Sequence, residues 1–99
     1  MKYKEEFDTI LACNIFEHIF DTNKAIDNMY NALKPNGKLI VIVPARLYPW
    51  HDVDTGDYHR FSKQCLFNMF GDKFDIVDYK EYKFLGLIFS HFIELQKKV

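Results

Sequence analysis

Phe7-Asp8-Thr9-Ile10-Leu11-Ala12-Cys13, Thr22 to Leu33, and Leu39-Ile40-Val41-Ile42-Val43 follow one another with short punctuation between them. The first run is short and mostly apolar and ends at Asn14, as a buried strand does. In the second, Ile26, Met29, Tyr30 and Leu33 recur at the spacing of one buried helical face. Lys34-Pro35-Asn36-Gly37 stops that helix, because Pro35 cannot continue it and Asn36-Gly37 tolerates positive φ. The aliphatic third run reads as a strand covered on both faces. Strand, crossover helix and strand in this order predict a right-handed unit with parallel strands. Ligands of open α/β sheets sit beyond the carboxyl ends of the strands. Asn14 to His18 and Pro44 to His59 are therefore where function is sought.

Working outward, Asn14 stands at a cap position with Glu17 three residues on, the spacing of a capping box. Asp21 can cap the longer helix. Ser62 caps a second helix from Lys63 to Phe70, stopped by Gly71, with Phe61 and Leu66 placed as a hydrophobic staple. Phe74 to Tyr79 and Ser90 to Gln96 read as two further strands, with Leu85-Gly86-Leu87 in the connection between them. The irregular stretch Pro44 to Arg60 is long enough to be functional and is expected to act as a mobile substrate lid. The rings at Phe67, Phe70, Phe74, Phe84, Phe89 and Phe92 are expected in the core, and Lys97-Lys98 is expected to be a solvated end.

The 99 residues make one small domain spanning the chain; 48% are hydrophobic and 17% aromatic, which excludes a disordered chain. Net charge is −1 with the signs interspersed, so neither a nucleic-acid footprint nor a polybasic membrane anchor is expected. Cys13 and Cys65 have no metal or redox spacing. Both are read as reduced thiols of a soluble, cytoplasmic protein, with Cys13 ending a buried strand. No apolar stretch approaches the length of a bilayer span.

In sequence order, Phe7-Asp8-Thr9-Ile10, then Asn14-Ile15-Phe16-Glu17-His18-Ile19-Phe20-Asp21, then Leu33-Lys34-Pro35-Asn36-Gly37-Lys38-Leu39 resemble motifs of class I S-adenosylmethionine-dependent methyltransferases. Pro49-Trp50-His51 and Gly56-Asp57-Tyr58-His59-Arg60-Phe61-Ser62 are similar to a small-molecule subgroup of that family, the type 11/23-like one. The resemblance implies an α/β fold: a partial Rossmann-like sheet, strands four to seven of the family, last pair antiparallel, with flanking helices. It also implies a methyl acceptor that is a small molecule, with S-adenosylmethionine as cofactor. The family's glycine-rich cofactor turn has no counterpart, since Gly37, Gly56, Gly71 and Gly86 form no G-x-G. The chain thus corresponds to the C-terminal half of the domain, and its cofactor site is expected to be incomplete and the isolated chain inactive.

By the same resemblance, Cys13 and Asn14 lie beside the cofactor through their backbone, and His18 with them. Glu17, Trp50, Tyr58 and Arg60 fall to the substrate side. His51 and His59 are the candidate bases, since a histidine near neutral pKa suits an acceptor that must lose a proton. Glu17 has the competing role of a capping-box residue. The set His51, Asp52, Asp54, Asp57 and His59 fits neither an EF-hand nor a zincin spacing, and no metal is expected. The alternative function is a truncated, non-catalytic binding or assembly module. With the family's neighbouring strand missing, Phe7 to Cys13 would leave an open edge. That edge predicts a homodimer through it or a separate N-terminal half-domain bound there.

Overall fold

The structure, a computed structural model, describes residues 3–45 and 58–98. Four strands form one sheet: β1 (Phe7–Cys13), β2 (Leu33–Pro44), β3 (Phe74–Phe84) and β4 (Leu87–Lys97). Their spatial order is β1-β2-β4-β3. β1 and β2 are parallel, joined by helix α1 (Thr22–Ala32), while β4 runs antiparallel to both neighbours. This is the expected α/β sheet with its last pair antiparallel. Helix α2 (Lys63–Phe70) precedes β3.

Local chemistry accounts for the ends of both helices. Asp21 accepts the Lys24 amide at 3.1 Å and opens α1; Ser62 accepts the Cys65 amide at 3.1 Å and opens α2. Past α1 the chain turns extended at Leu33, and Asn36 takes the left-handed conformation, φ 64°. Phe61 and Leu66, the predicted staple, both enter the core.

Alternate strand residues build that core. Leu39, Val41 and Val43 of β2 lie beside Leu95, Ile93 and His91 of β4 in register and are fully buried. Ile26 and Met29 of α1, Leu66 and Phe70 of α2, and Phe16 and Phe74 complete a single cluster on this face. The opposite face differs from the expectation of a two-sided cover. Ile40 and Ile42 remain partly exposed and Leu11 is 62% exposed, because both described helices pack on the other side.

Further expectations change. The strands β2, β3 and β4 run longer than their apolar runs: β2 begins where Leu33 pairs with Phe7 of β1, and Lys80 to Phe84 pair against Leu87 to Phe92. Leu87 therefore begins a strand, and Leu85-Gly86 alone makes the turn, both at positive φ (53° and 78°). Phe84 is exposed beside that turn, outside the core. Lys97 is buried: its ammonium donates to the Leu33 carbonyl at 2.7 Å and lies over the Tyr30 ring. Lys98 is tied too, donating to the Gly71 carbonyl at 2.8 Å. Cys13 and Cys65 are both exposed thiols, contrary to the buried end predicted for β1.

Candidate functional site at the carboxyl edge of the sheet

β1 and β2 end side by side, tied by the Asn14 amide donating to the Ile42 carbonyl at 2.8 Å. Asn14 is not a helix cap. It sits at φ 54°, and Ile15 precedes a single 3-10 turn, Phe16–His18, that has no side-chain cap. Asparagine tolerates this conformation better than most residues. Glu17 therefore plays no part in a capping box: its side chain is fully buried, with Oε2 3.9 Å from His18 Nε2. His18 itself is partly exposed.

The chain returns to this turn after the long connection. The Tyr58 and His59 amides both donate to the Glu17 carbonyl, at 2.7 and 3.3 Å. His59 Nε2 lies 2.9 Å from the Ile19 carbonyl. A carbonyl only accepts, so Nε2 carries the proton and only Nδ1 of His59 could take up another. Arg60 Nη1 donates to the His59 carbonyl at 2.8 Å, and the Tyr58 ring meets the exposed Phe20 edge-on at 5.3 Å. Five of the predicted residues, Glu17, His18, Tyr58, His59 and Arg60, are thus brought together beside Cys13 and Asn14. Trp50 and His51, with Asp52, Asp54 and Asp57 and most of the predicted lid, lie outside the described residues. Among the described residues, no three His, Cys, Asp or Glu side chains are gathered as metal ligands would be.

A second polar group stands at the same edge, and the sequence reading missed it. His91 is buried on β4, opposite Glu81 of β3. Its Nε2 donates to the Phe61 carbonyl at 2.8 Å, its Nδ1 lies 2.5 Å from the Tyr79 hydroxyl, and that hydroxyl lies 3.1 Å from Glu81 Oε2. Burial pushes the Tyr79 phenol up and the His91 imidazole down, with Glu81 raising the first further and opposing the second. Glu81 and His91 line an open cleft of about 410 Å³ with Ala45, Phe61, Lys63 and Leu87. The available signal was His91 on the core-facing parity of Phe89-x-His91-x-Ile93-x-Leu95. Its partners depend on the β3–β4 register, which no local pattern encodes.

The sequence profile of a methyltransferase domain matches residues 2–39. Comparison with curated proteins finds no match. Among solved structures, an S-adenosylmethionine-dependent methyltransferase from Methanosarcina mazei superposes with a TM-score of 0.75 at 19% identity. That match covers 96% of this chain and 61% of the other. The 1,6-didemethyltoxoflavin-N1-methyltransferase of Burkholderia thailandensis, solved with S-adenosylhomocysteine, gives 0.79 at 14% identity, covering 100% and 47%. The cyclase SpnF gives 0.75 at 16%, covering 98% and 52%. The chain thus spans between about half and about three-fifths of these structures. In sequence over residues 2–39, and in fold over nearly its whole length, the chain resembles the S-adenosylmethionine-dependent methyltransferases.

Proposed function

We propose that this chain supplies the acceptor side, and one wall of the cofactor side, of an S-adenosylmethionine-dependent methyltransferase acting on a small molecule. The observation that carries the reading is the packing of Tyr58, His59 and Arg60 onto the turn that follows β1. It joins the two stretches whose motifs resemble the family, at the edge where α/β sheets take ligands. The exposed Cys13 and Asn14 would hold part of the cofactor through their backbone, with His18 nearby. The cofactor, when bound, supplies an electrophilic methyl group; what these residues supply is position. Tyr58 and Phe20 offer the acceptor an aromatic wall, and His59 holds that wall in place through Ile19. His59 Nδ1 is the atom on this wall that could accept an acceptor's proton.

Among the described residues, Gly37 is packed against the Lys34 and Asp8 carbonyls, Gly71 ends α2 and Gly86 lies in the hairpin turn. None is a phosphate- or methionine-cradling turn after a strand, so we infer that the cofactor site closes only with a further strand and turn beside β1. β1 is the terminal strand of the sheet, which supports the same reading. A two-fold dimer through that edge, or a separate N-terminal half-domain, would cover it. The cyclase of like fold favours a second reading, in which the half-fold is kept for binding without methyl transfer. Calorimetric titration with S-adenosylhomocysteine tests the first reading. The isolated chain should bind more weakly than about 0.1 mM, and micromolar binding would contradict a shared site.

A further inference from the structure

The chain Glu81–Tyr79–His91–Phe61 contains three contacts at hydrogen-bond distance, and each needs one proton. The Phe61 carbonyl fixes the proton on His91 Nε2. With Glu81 ionised and His91 neutral, the single Tyr79 hydrogen must serve both remaining contacts. The network is therefore one proton short. The three contacts share two hydrogens, and Glu81, which reaches the cleft, is where a third can enter from a bound molecule.

Glu81 and His91 both line the cleft, and Glu81 is the more accessible, its side chain 26% exposed. Around it the walls are mostly apolar, from Ala45, Phe61, Leu87 and Ile88. One cation stands in the same lining: Lys63, at the start of α2, whose ammonium lies 5.0 Å from the centre of the Tyr79 ring. Lys83, on the strand with Glu81, lies 4.0 Å from the carboxylate. From β2 the residue registered against His91 is Val43, which carries no charge.

We propose that this cleft binds a small, largely apolar compound with one acidic O–H or N–H, a phenol or an azole, taking its proton on Glu81 and its anion beside Lys63. In that step the ligand's O–H or N–H bond breaks, its electron pair stays on the ligand, and an O–H bond forms on Glu81. The protonated carboxyl then donates to Tyr79, Tyr79 donates to His91 Nδ1, and all three contacts are satisfied without a charge on the buried imidazole. The ligand's negative charge meets the Lys63 ammonium in the same lining, a charge-assisted contact. The site does not depend on methyl transfer or on S-adenosylmethionine.

4-Nitrophenol is a direct probe, because its anion absorbs where the neutral form does not. Added at a pH where it is mostly neutral in solution, the purified chain should raise the phenolate fraction saturably, by about threefold or more. Glu81→Gln should abolish the rise, and Lys63→Met should weaken it; both side chains are partly or fully exposed, and circular dichroism checks that the variants fold. 4-Nitroanisole, which has no proton to give, should bind about tenfold more weakly in competition. Equal binding of the anisole, a rise that persists in Glu81→Gln, or no rise at millimolar probe would overturn the proposal. Because the assay contains no S-adenosylmethionine, its failure leaves the methyltransferase reading standing, and failure of that reading leaves the cleft's assignment standing.

Discussion

Leu85 takes the left-handed conformation at φ 53° with its side chain 85% exposed, so it bears backbone strain with little packing in return. Two-residue hairpin turns of this shape favour Asn-Gly, and Gly86 already fills the second place. Leu85→Asn should raise stability by about 0.5–1 kcal/mol, read as a higher urea midpoint with an unchanged slope. His91 adds a dependence on pH. Burial holds its imidazole below the ordinary 6.5, so as pH falls the unfolded chain takes up that proton first. The stability contributed by neutral His91 is complete above 6.5 and is lost as pH falls toward the folded-state value. Urea midpoints between about pH 7.5 and about pH 5.5 should fall in the native chain and fall less in His91→Gln. Equal slopes would show that the histidine is not held neutral by the fold.

Elements whose signals are local were legible in the sequence. β1 and α2 keep their predicted bounds and α1 ends one residue early, because apolar spacing and the caps Asp21 and Ser62 act within a few residues. The ends of β3 and β4 were not legible. Lys80-Glu81-Tyr82-Lys83 has no apolar run, and pairing with β4 keeps it extended. The site divides along the same line. The packing of 58–60 on 17–20 follows motifs visible along the chain, whereas Tyr79, Glu81 and His91 meet only through register. Glu17 shows how a local rule misleads: its spacing from Asn14 fits a cap, yet the positive φ of Asn14 turns the chain and buries the carboxylate. β1 carries the element-scale prediction. Along its edge Thr9 to Ala12 carry no charge against pairing and Leu11 is exposed, so sedimentation at about 100 µM should show association. Leu11→Lys should return the chain to monomer. A native chain that stays monomeric would refute a self-paired edge.

Across the whole molecule, two halves of one edge carry different chemistry. The β1 side, with Cys13 to His18 and Tyr58 to Arg60, is proposed for cofactor and acceptor. On the β3–β4 side, the Glu81–Tyr79–His91 chain faces a separate cleft, and the backbone from Tyr58 to Lys63 links the two. No helix among the described residues is long and apolar enough to cross a membrane. Mapping S-adenosylhomocysteine onto this edge by amide chemical shifts, at millimolar ligand, tests the proposed half-site most directly. Weak, saturable shifts concentrated at Cys13 to His18 and Tyr58 to Arg60 are expected, with Glu81 and His91 little moved. Shifts centred elsewhere, or none at all, would contradict the half-site.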